Sequence, residues 1–236
     1  FESNFNNFTI EGQSGGNNKL KNEVSTSYTG TLELRPHFIR GLDFRGSFID
    51  IKINNAITSL TPENLMDACY DSASYGPSNA YCNSFQRGAD GQLQSFTAGY
   101  YNIANYETQA LQANLTYDTP LSRFGLPQSA GSVGLSGIYV HYLKSQQTYL
   151  GSTYLLSGTT SAPNDNFTLN ANYMRGPFSL QWQALWYGPS NYAVQVPDNY
   201  YAANKRPSWA YFNLTLGYDI TKNFSANFMV NNITNA

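Results

Sequence analysis

Charged residues are scarce in this sequence, and their scarcity excludes several classes of protein. Asp, Glu, Lys and Arg make up 12% of the 236 residues, against about 25% in ordinary soluble domains. The formal net charge is −2 and no Lys or Arg cluster is present, so no nucleic-acid partner is expected. Such a composition is unusual for a surface in water. It suits a wall that meets lipid on one face and a neutral, hydrogen-bonding lumen on the other.

Long apolar runs are absent as well. No segment approaches the ~18 consecutive apolar residues of a transmembrane helix. The mean hydropathy of −0.42 is that of a soluble protein, but a transmembrane barrel also averages out polar, because alternate residues face its lumen. The chain starts at Phe1 without an initiator Met or a signal peptide. We therefore expect either a mature N-terminus or an internal piece of a longer polypeptide.

Motifs that carry enzyme chemistry are missing. The sequence has no Gly-x-Ser-x-Gly elbow, no His-Glu-x-x-His and no Gly-rich phosphate loop. Its two histidines, His37 and His141, are far apart. The acidic residues Asp67, Asp71 and Asp90 do not have calcium-loop spacing. We expect no catalytic residue, no metal site and no cofactor.

The two cysteines, Cys69 and Cys82, predict one disulfide formed in an oxidising compartment. Two free thiols and a metal site are the alternatives. Nearby turn residues and the lack of His in the segment favour the disulfide. A short helix is predicted near Pro62–Ala68, because Thr61 is a suitable cap and Pro62 a suitable first residue.

Apolar and polar residues alternate with period two in eight segments, which predicts eight strands with two different faces. Each has about the 9–11 residues that a tilted strand needs to cross a bilayer. A slip of phase near Phe48 and Ile49 predicts a bulge. Outward to lipid we expect Leu32, Leu34, Leu115, Trp182, Leu214, Leu216 and Phe228, and toward the lumen Thr31, Gln112, Gln181 and Thr215.

The connections between these segments alternate between short and long. The short ones are 37–41, 120–130, 175–177 and 219–223, and the long ones are 54–98, 149–166 and 188–208. This alternation is typical of up-and-down outer-membrane barrels, whose long loops are extracellular. Aromatic residues at strand ends, among them Trp186, Tyr187, Trp209 and Tyr211, predict interfacial girdles.

The last part of the chain carries a more specific resemblance. From Trp209 it reads WAYFNLTLGYDI, turns at 221–223 and continues as FSANFMVNNITN. These segments are similar to the late strands of TonB-dependent outer-membrane receptors, where VNNLFD stands in place of VNNITN. GNNKLKNE from Gly16 resembles the family's GNPxLKPE, and RPHFIRGL from Arg35 fits the following turn. The segment with Cys69 and Cys82 resembles a cysteine-bearing outer loop of one branch.

The resemblance implies an all-β fold, an antiparallel transmembrane β-barrel of 22 strands with a plug domain inside, in the bacterial outer membrane. Residues 1–236 would form one partial barrel domain of about eight strands, incomplete at both ends and without the plug. Its first and last strands would not pair with each other. The implied partners are outer-membrane lipid, the TonB energy-coupling complex acting through the missing plug, and a small-molecule or oligosaccharide ligand.

The implied function is active uptake of a scarce nutrient, such as an iron chelate, a vitamin or an oligosaccharide. Its binding residues would come from the lumen and from Tyr-rich outer loops, whose rings suit sugars and flat ligands. The alternative is a small complete eight-stranded barrel or a soluble β-sandwich that binds carbohydrate. The candidate ligand-binding residues are Arg45, Gln112, Gln181, Tyr149, Tyr154, Tyr192 and Tyr200.

Overall fold

The computed structural model describes residues 11–71, 75–76, 79, 81–197 and 199–235. Within these ranges most of the chain is β-strand and one α-helix is present, α1 (Pro62–Tyr70). No helix in the described ranges is both long enough and apolar enough to cross a membrane. The strands are β1 (Glu11–Ser14), β2 (Val24–Leu34), β3 (Leu42–Ser59), β4 (Phe85–Arg87), β5 (Leu93–Ala98), β6 (Tyr100–Pro120), β7 (Ser132–Tyr149), β8 (Ser152–Leu155), β9 (Asp165–Arg175), β10 (Phe178–Tyr187), β11 (Ser190–Asn191), β12 (Lys205–Arg206), β13 (Trp209–Thr221) and β14 (Phe224–Val230).

The main sheet has nine strands, eight of which follow one another in the order β2-β3-β6-β7-β9-β10-β13-β14, with β8 paired to β7. These eight are the strands predicted from the period-two pattern, and the prediction is confirmed. β2 and β14 stand at opposite ends of the order, and among the described residues no ladder joins them. The strand ends joined by short connections are called the turn end below, and those joined by long connections the loop end.

Three strands are longer than predicted. β3, β6 and β7 have 18, 21 and 18 residues, whereas the alternation indicated about 9–11. Backbone pairing continues beyond the stretch where one face is apolar, and there the period-two signal fades because both faces accept polar residues. The predicted long connection 54–98 is likewise not all loop, since it contains the end of β3, α1, β4 and β5.

The strands separate their side chains into a polar and an apolar face. In the register, Gln183 lies opposite both Asn170 and Asn213. The Nε2 atom of Gln183 donates to Asn170 Oδ1 at 2.9 Å, and Asn213 Nδ2 donates to Gln183 Oε1 at 2.9 Å. On the other face Trp182 stacks on Phe212 with ring centroids 5.5 Å apart. The predicted division of these strands into two faces is confirmed.

The apolar face is largely uncovered by the chain itself. Leu32 is 64% exposed and Phe228 is 62% exposed. Contiguous apolar surface of this kind is rare on soluble monomers and marks a surface that meets lipid or another protein. The phase slip predicted in β3 is present too. In β3 the polar side chains that contact neighbouring strands have odd numbers as far as Ser47, whose hydroxyl bonds that of Thr31. Beyond the slip they have even numbers, since Asp50 bonds Gln109 and Lys52 pairs with Glu107.

The chain divides into two compact units, and each is described by itself. The first comprises Phe1–Ser25, Ile53–Tyr106 and Thr148–Thr153. It contains α1 and a small sheet of order β1-β5-β4. Thr61 caps α1 as predicted, since its Oγ1 accepts a hydrogen bond from the Asn64 amide at 3.2 Å. The predicted disulfide between Cys69 and Cys82 is formed. Leu60, just before α1, and Leu65, on α1, are both buried.

Aromatic packing supports the first unit around the second cysteine. The rings of Tyr81 and Tyr101 lie 5.6 Å apart, and the Tyr101 hydroxyl is 3.1 Å from Ser84 Oγ. Burial raises the pKa of the Tyr81 hydroxyl, with a smaller contribution from Tyr101. This ring therefore stays neutral across the physiological pH range. The second unit, Thr26–Lys52, Glu107–Gln147 and Tyr154–Ala236, holds the candidate site.

Removing the disulfide should loosen the first unit. A cross-link that closes a loop of this length contributes ~3 kcal/mol in the chain-entropy account. In the double variant Cys69→Ser/Cys82→Ser we expect the α1 amides to exchange hydrogen up to about 100-fold faster. Exchange is followed by mass spectrometry on the full-length protein in detergent. Amides of β10, in the other unit, are the internal control. Unchanged α1 exchange would show that the cross-link does not stabilise the helix.

Candidate functional site

The candidate site lies at the loop end of β10 and β13. Register pairs Tyr187 with Trp209, and their rings stack with centroids 5.1 Å apart. Tyr211 meets Tyr187 edge to face at 6.2 Å. The guanidinium of Arg206, on β12, lies 4.1 Å from the centre of the Trp209 ring. These four residues are called the aromatic cluster.

The aromatic cluster belongs to the polar face. Tyr187 is two residues along from Leu185 and four from Gln183, so it shares their face, and Trp209 and Tyr211 share that of Asn213. The prediction that Tyr187, Trp209 and Tyr211 belong to an interfacial girdle is therefore wrong. A girdle would need them on the apolar face, where Trp186 stands. The sequence signal for the cluster is the period-two alternation itself. Extended to the ends of β10 and β13, it assigns these aromatic side chains to the polar face.

A second group on this unit is charged. The carboxylate of Glu107 pairs with two ammonium groups, Lys52 Nζ at 3.3 Å and Lys144 Nζ at 2.5 Å. It also accepts a hydrogen bond from Gln146 Nε2 at 3.3 Å. Two ammonium groups share one carboxylate, so the group keeps a net positive charge. Ion pairs this exposed contribute little to stability, but a remaining positive charge attracts anions. The sequence prediction did not include these residues, because their partners come from three separate strands.

The predicted residue Arg45 lies at the turn end in a network of its own. Its guanidinium contacts Glu33 at 3.2 Å and Asp43 at 3.1 Å. Arg35 contacts Asp43 at 2.9 Å and also pairs with Glu33. Two arginines and two carboxylates balance here, so the charge of Arg45 is already compensated within the wall. The geometry therefore favours a role in tying β2 to β3 over direct ligand contact.

The predicted glutamines are on strands, as expected. Gln112 is half-buried on β6. Gln181 lies on β10, 3.5 Å from Asn170 Oδ1, and with Asp118 and Thr215 it lines a hollow of about 600 Å³. Gly134 opens this hollow, since a Cβ there would lie 2.5 Å from Asp118 Oδ1. The hollow is at the turn end and is separate from the aromatic cluster.

The predicted tyrosines lie where the long connections begin or run. Tyr149 ends β7 and belongs to the first unit. Tyr154 on β8 is 50% exposed and Tyr192 is 61% exposed. Tyr200 packs against Tyr201 with centroids 4.9 Å apart. Their part in ligand binding stays a prediction.

Comparison with known proteins identifies the fold. A family model described as TonB dependent receptor-like, beta-barrel, matches residues 2–233. No curated protein sequence matches the chain. The outer membrane transporter YddB of Escherichia coli superimposes with a TM-score of 0.62 at 10% identity, over 97% of this chain and 31% of that one. The siderophore receptor PirA of Acinetobacter baumannii gives 0.59 at 12%, over 94% and 29%.

The ferric enterobactin receptor of Pseudomonas aeruginosa superimposes with a TM-score of 0.56 at 17% identity, over 91% of this chain and 26% of that one. The chain thus spans between 26% and 31% of the length of these three structures. In such barrels the apolar face meets lipid and the polar face lines the lumen, which accounts for the uncovered Leu32 and Phe228. Since the family model covers nearly all of it, this outer-membrane chain belongs to the TonB-dependent receptor-like β-barrel family.

Proposed function

We propose that the polypeptide containing this chain imports a scarce nutrient across the outer membrane, and that the aromatic cluster contacts the ligand. The observation that carries the proposal is the stack of Arg206, Trp209 and Tyr187 on the lumenal face at its loop end. Stacked aromatic rings with hydroxyl and guanidinium donors at their edges bind flat or ring-shaped solutes. In the proposed orientation the loop end faces the outside, so an entering solute would meet these groups first.

The proposal extends to the source of energy and to the rest of the polypeptide. Residues 1–236 form part of the barrel wall, and a plug domain elsewhere in the polypeptide passes energy from the TonB complex. The candidate ligands are an iron chelate, a vitamin or an oligosaccharide. Two similar structures support this range, since one is a ferric enterobactin receptor in complex with enterobactin and another a ferripyoverdine receptor bound to ferripyoverdine.

Uptake by cells that carry the full-length polypeptide tests the proposal. A labelled panel of a ferric catecholate chelate, a ferric hydroxamate chelate, a corrinoid and a maltodextrin is offered to cells with and without the gene. We expect accumulation of one member, lost when the proton gradient is dissipated, while binding at the cell surface persists. Accumulation that continues without a proton gradient would contradict energy coupling, and accumulation of none would contradict import of these classes.

Trp209→Ala should weaken binding of the panel member that is taken up. Losing one ring contact of this kind costs about 1 kcal/mol, so the half-saturating concentration should rise about fivefold. Trp186→Ala is the matched control, because Trp186 is on the lipid face one strand position before Tyr187. Equal affinity in the two variants, at equal amounts of assembled protein, would remove the aromatic cluster from the binding surface.

A further inference from the structure

A groove lies at the turn end of the second unit, between two short connections. Its volume is about 400 Å³, within the usual range of small-molecule sites. One wall comes from residues 37–40, between β2 and β3, and the other from Arg123 and Phe124, between β6 and β7. Tyr117, near the end of β6, completes the lining. It is called the turn groove.

The turn groove opens on the lipid side of the wall. Tyr117 precedes Asp118 on β6, and successive side chains of a strand point to opposite faces. Asp118 belongs to the polar face, because it lines the hollow there together with Gln181 and Thr215. Tyr117 is therefore on the apolar face, and the turn groove continues the surface that meets lipid.

Large apolar side chains at the turn groove are not covered by the chain. Phe38 is 86% exposed and Phe124 is 62% exposed. Leu126, two residues further along, is exposed as well. At the ends of barrel strands, aromatic rings on the outer face lie at the level of the lipid headgroups. Exposed rings in this position therefore indicate contact with the edge of the bilayer rather than with bulk water.

Two arginines stand at the same groove. Arg40 and Arg123 both line it, and none of its lining residues is acidic. Throughout the described chain, neither guanidinium lies within ion-pair distance of a carboxylate. They differ in this from Arg45, whose charge is compensated by Glu33 and Asp43. An uncompensated guanidinium presents N–H groups in a fork that matches a phosphate.

Backbone hydrogen bonds fix both walls of the turn groove. The Ile39 amide donates to Pro36 O at 3.1 Å within the β2–β3 connection. The Leu121 amide donates to Gly131 O at 2.9 Å, which closes the β6–β7 connection. The two connections are joined where Arg123 Nη1 donates to the carbonyl oxygen of residue 40 at 2.5 Å. A site already formed in the free protein loses little conformational entropy on binding.

We propose that the turn groove binds an anionic phospholipid of the leaflet around the turn end. The lipid phosphate is held by Arg40 and Arg123. The first carbons of its acyl chains lie against Phe38, Phe124 and Tyr117. Short connections of outer-membrane barrels lie at the periplasmic surface, so the occupant is a lipid of the periplasmic leaflet. The proposal concerns how the wall is held in the membrane and does not rest on the import of any solute.

Phosphatidylglycerol and phosphatidylcholine with the same oleoyl chains probe the groove with and without a net charge. Binding to the full-length polypeptide in a non-ionic detergent is measured by native mass spectrometry over a lipid titration. We expect a saturable phosphatidylglycerol adduct and at least fivefold weaker phosphatidylcholine binding, since a basic side chain at a membrane surface contributes about this factor with anionic lipid. Equal binding of the two lipids would overturn the proposal, and so would the absence of a saturable adduct.

Three variants locate the lipid. Arg40→Gln and Arg123→Gln should each weaken phosphatidylglycerol binding about fivefold and leave phosphatidylcholine binding unchanged. Lys222→Gln is the matched control, because it removes an exposed cation from the β13–β14 connection at the same end. Equal losses in all three variants would mean diffuse attraction to the turn end and would refute the site. Unchanged affinity in both arginine variants would refute it too.

Two further measurements separate the lipid from simpler explanations. Arg123→Gln also removes a hydrogen bond, so the heat-modifiable band of each variant is compared first. If Arg123→Gln does not assemble, Arg40→Gln decides, because the Arg40 side chain has no hydrogen-bond partner in the described part of the chain. Inorganic phosphate at constant ionic strength should leave the adduct in place, since it has no acyl chain. Displacement of phosphatidylglycerol by phosphate would indicate a plain phosphate site and overturn the lipid proposal.

Discussion

Gly41→Ala is expected to prevent most of the full-length protein from assembling. Gly41 has φ +94°, and a Cβ built on it would lie 2.1 Å from the carbonyl oxygen of Asp118. The obstacle is backbone, so it cannot rotate away. The Asp118 amide also donates to Gly41 O at 3.1 Å. Backbone strain and the lost hydrogen bond together cost about 3 kcal/mol or more.

Gly125→Ala supplies the matched control for this change. Gly125 has a similar φ of +83°, but its missing Cβ would point into open space. It should therefore show only the strain of a left-handed alanine, about 1–2 kcal/mol. Assembly is measured as the heat-modifiable band of folded barrel in outer-membrane fractions. Equal yields of the two variants would mean that assembly does not require the close approach of the Gly41 and Asp118 backbones.

Leu216→Arg should destabilise the barrel by about 2–4 kcal/mol, as a cation on the lipid face near the bilayer midplane does. Leu216 stands in the middle of β13, opposite Leu180 and Phe228. Thr215→Arg, one residue away, should change stability by no more than about 0.5 kcal/mol. Thr215 lies opposite Gln181 on the polar face, where water reaches the new charge.

Urea unfolding from phospholipid vesicles compares the two arginine variants. If Leu216→Arg lowered the free energy of unfolding less than Thr215→Arg, the lipid and lumenal faces assigned to the wall would have to be exchanged. It would also undermine the position given to the aromatic cluster, because that position depends on the same count along β10 and β13.

The wall of this molecule was predictable because each strand carries its own signal. In strand β10, Phe178, Leu180 and Trp182 alternate with serine and glutamine. The face that meets lipid excludes the polar residues, so the alternation assigns each residue to one face of the sheet. The helix was predictable for a similar reason, since Thr61 and Pro62 act within one turn. Local physics sufficed in both cases.

The candidate site was harder, because its contacts join segments that carry no local signal. Arg206 reaches Trp209 only through the path of the connection before β13. The compensated charge of Arg45 depended on which side chains of β2 lie opposite it. Tyr187 and Trp209 are an intermediate case. Aromatic residues at strand ends predict a girdle, and the strand register is needed to see that these two side chains lie on the lumenal face.

The strand order of the main sheet has a consequence for how the wall forms. Its eight strands pair in the order in which they occur along the chain, so each strand can pair as soon as the strand before it is in place. Closing a connection twice as long costs only ~0.6 kcal/mol more in chain entropy. The long outer connections therefore slow pairing little, and the wall can grow hairpin by hairpin, each new strand covering the open edge left by the one before.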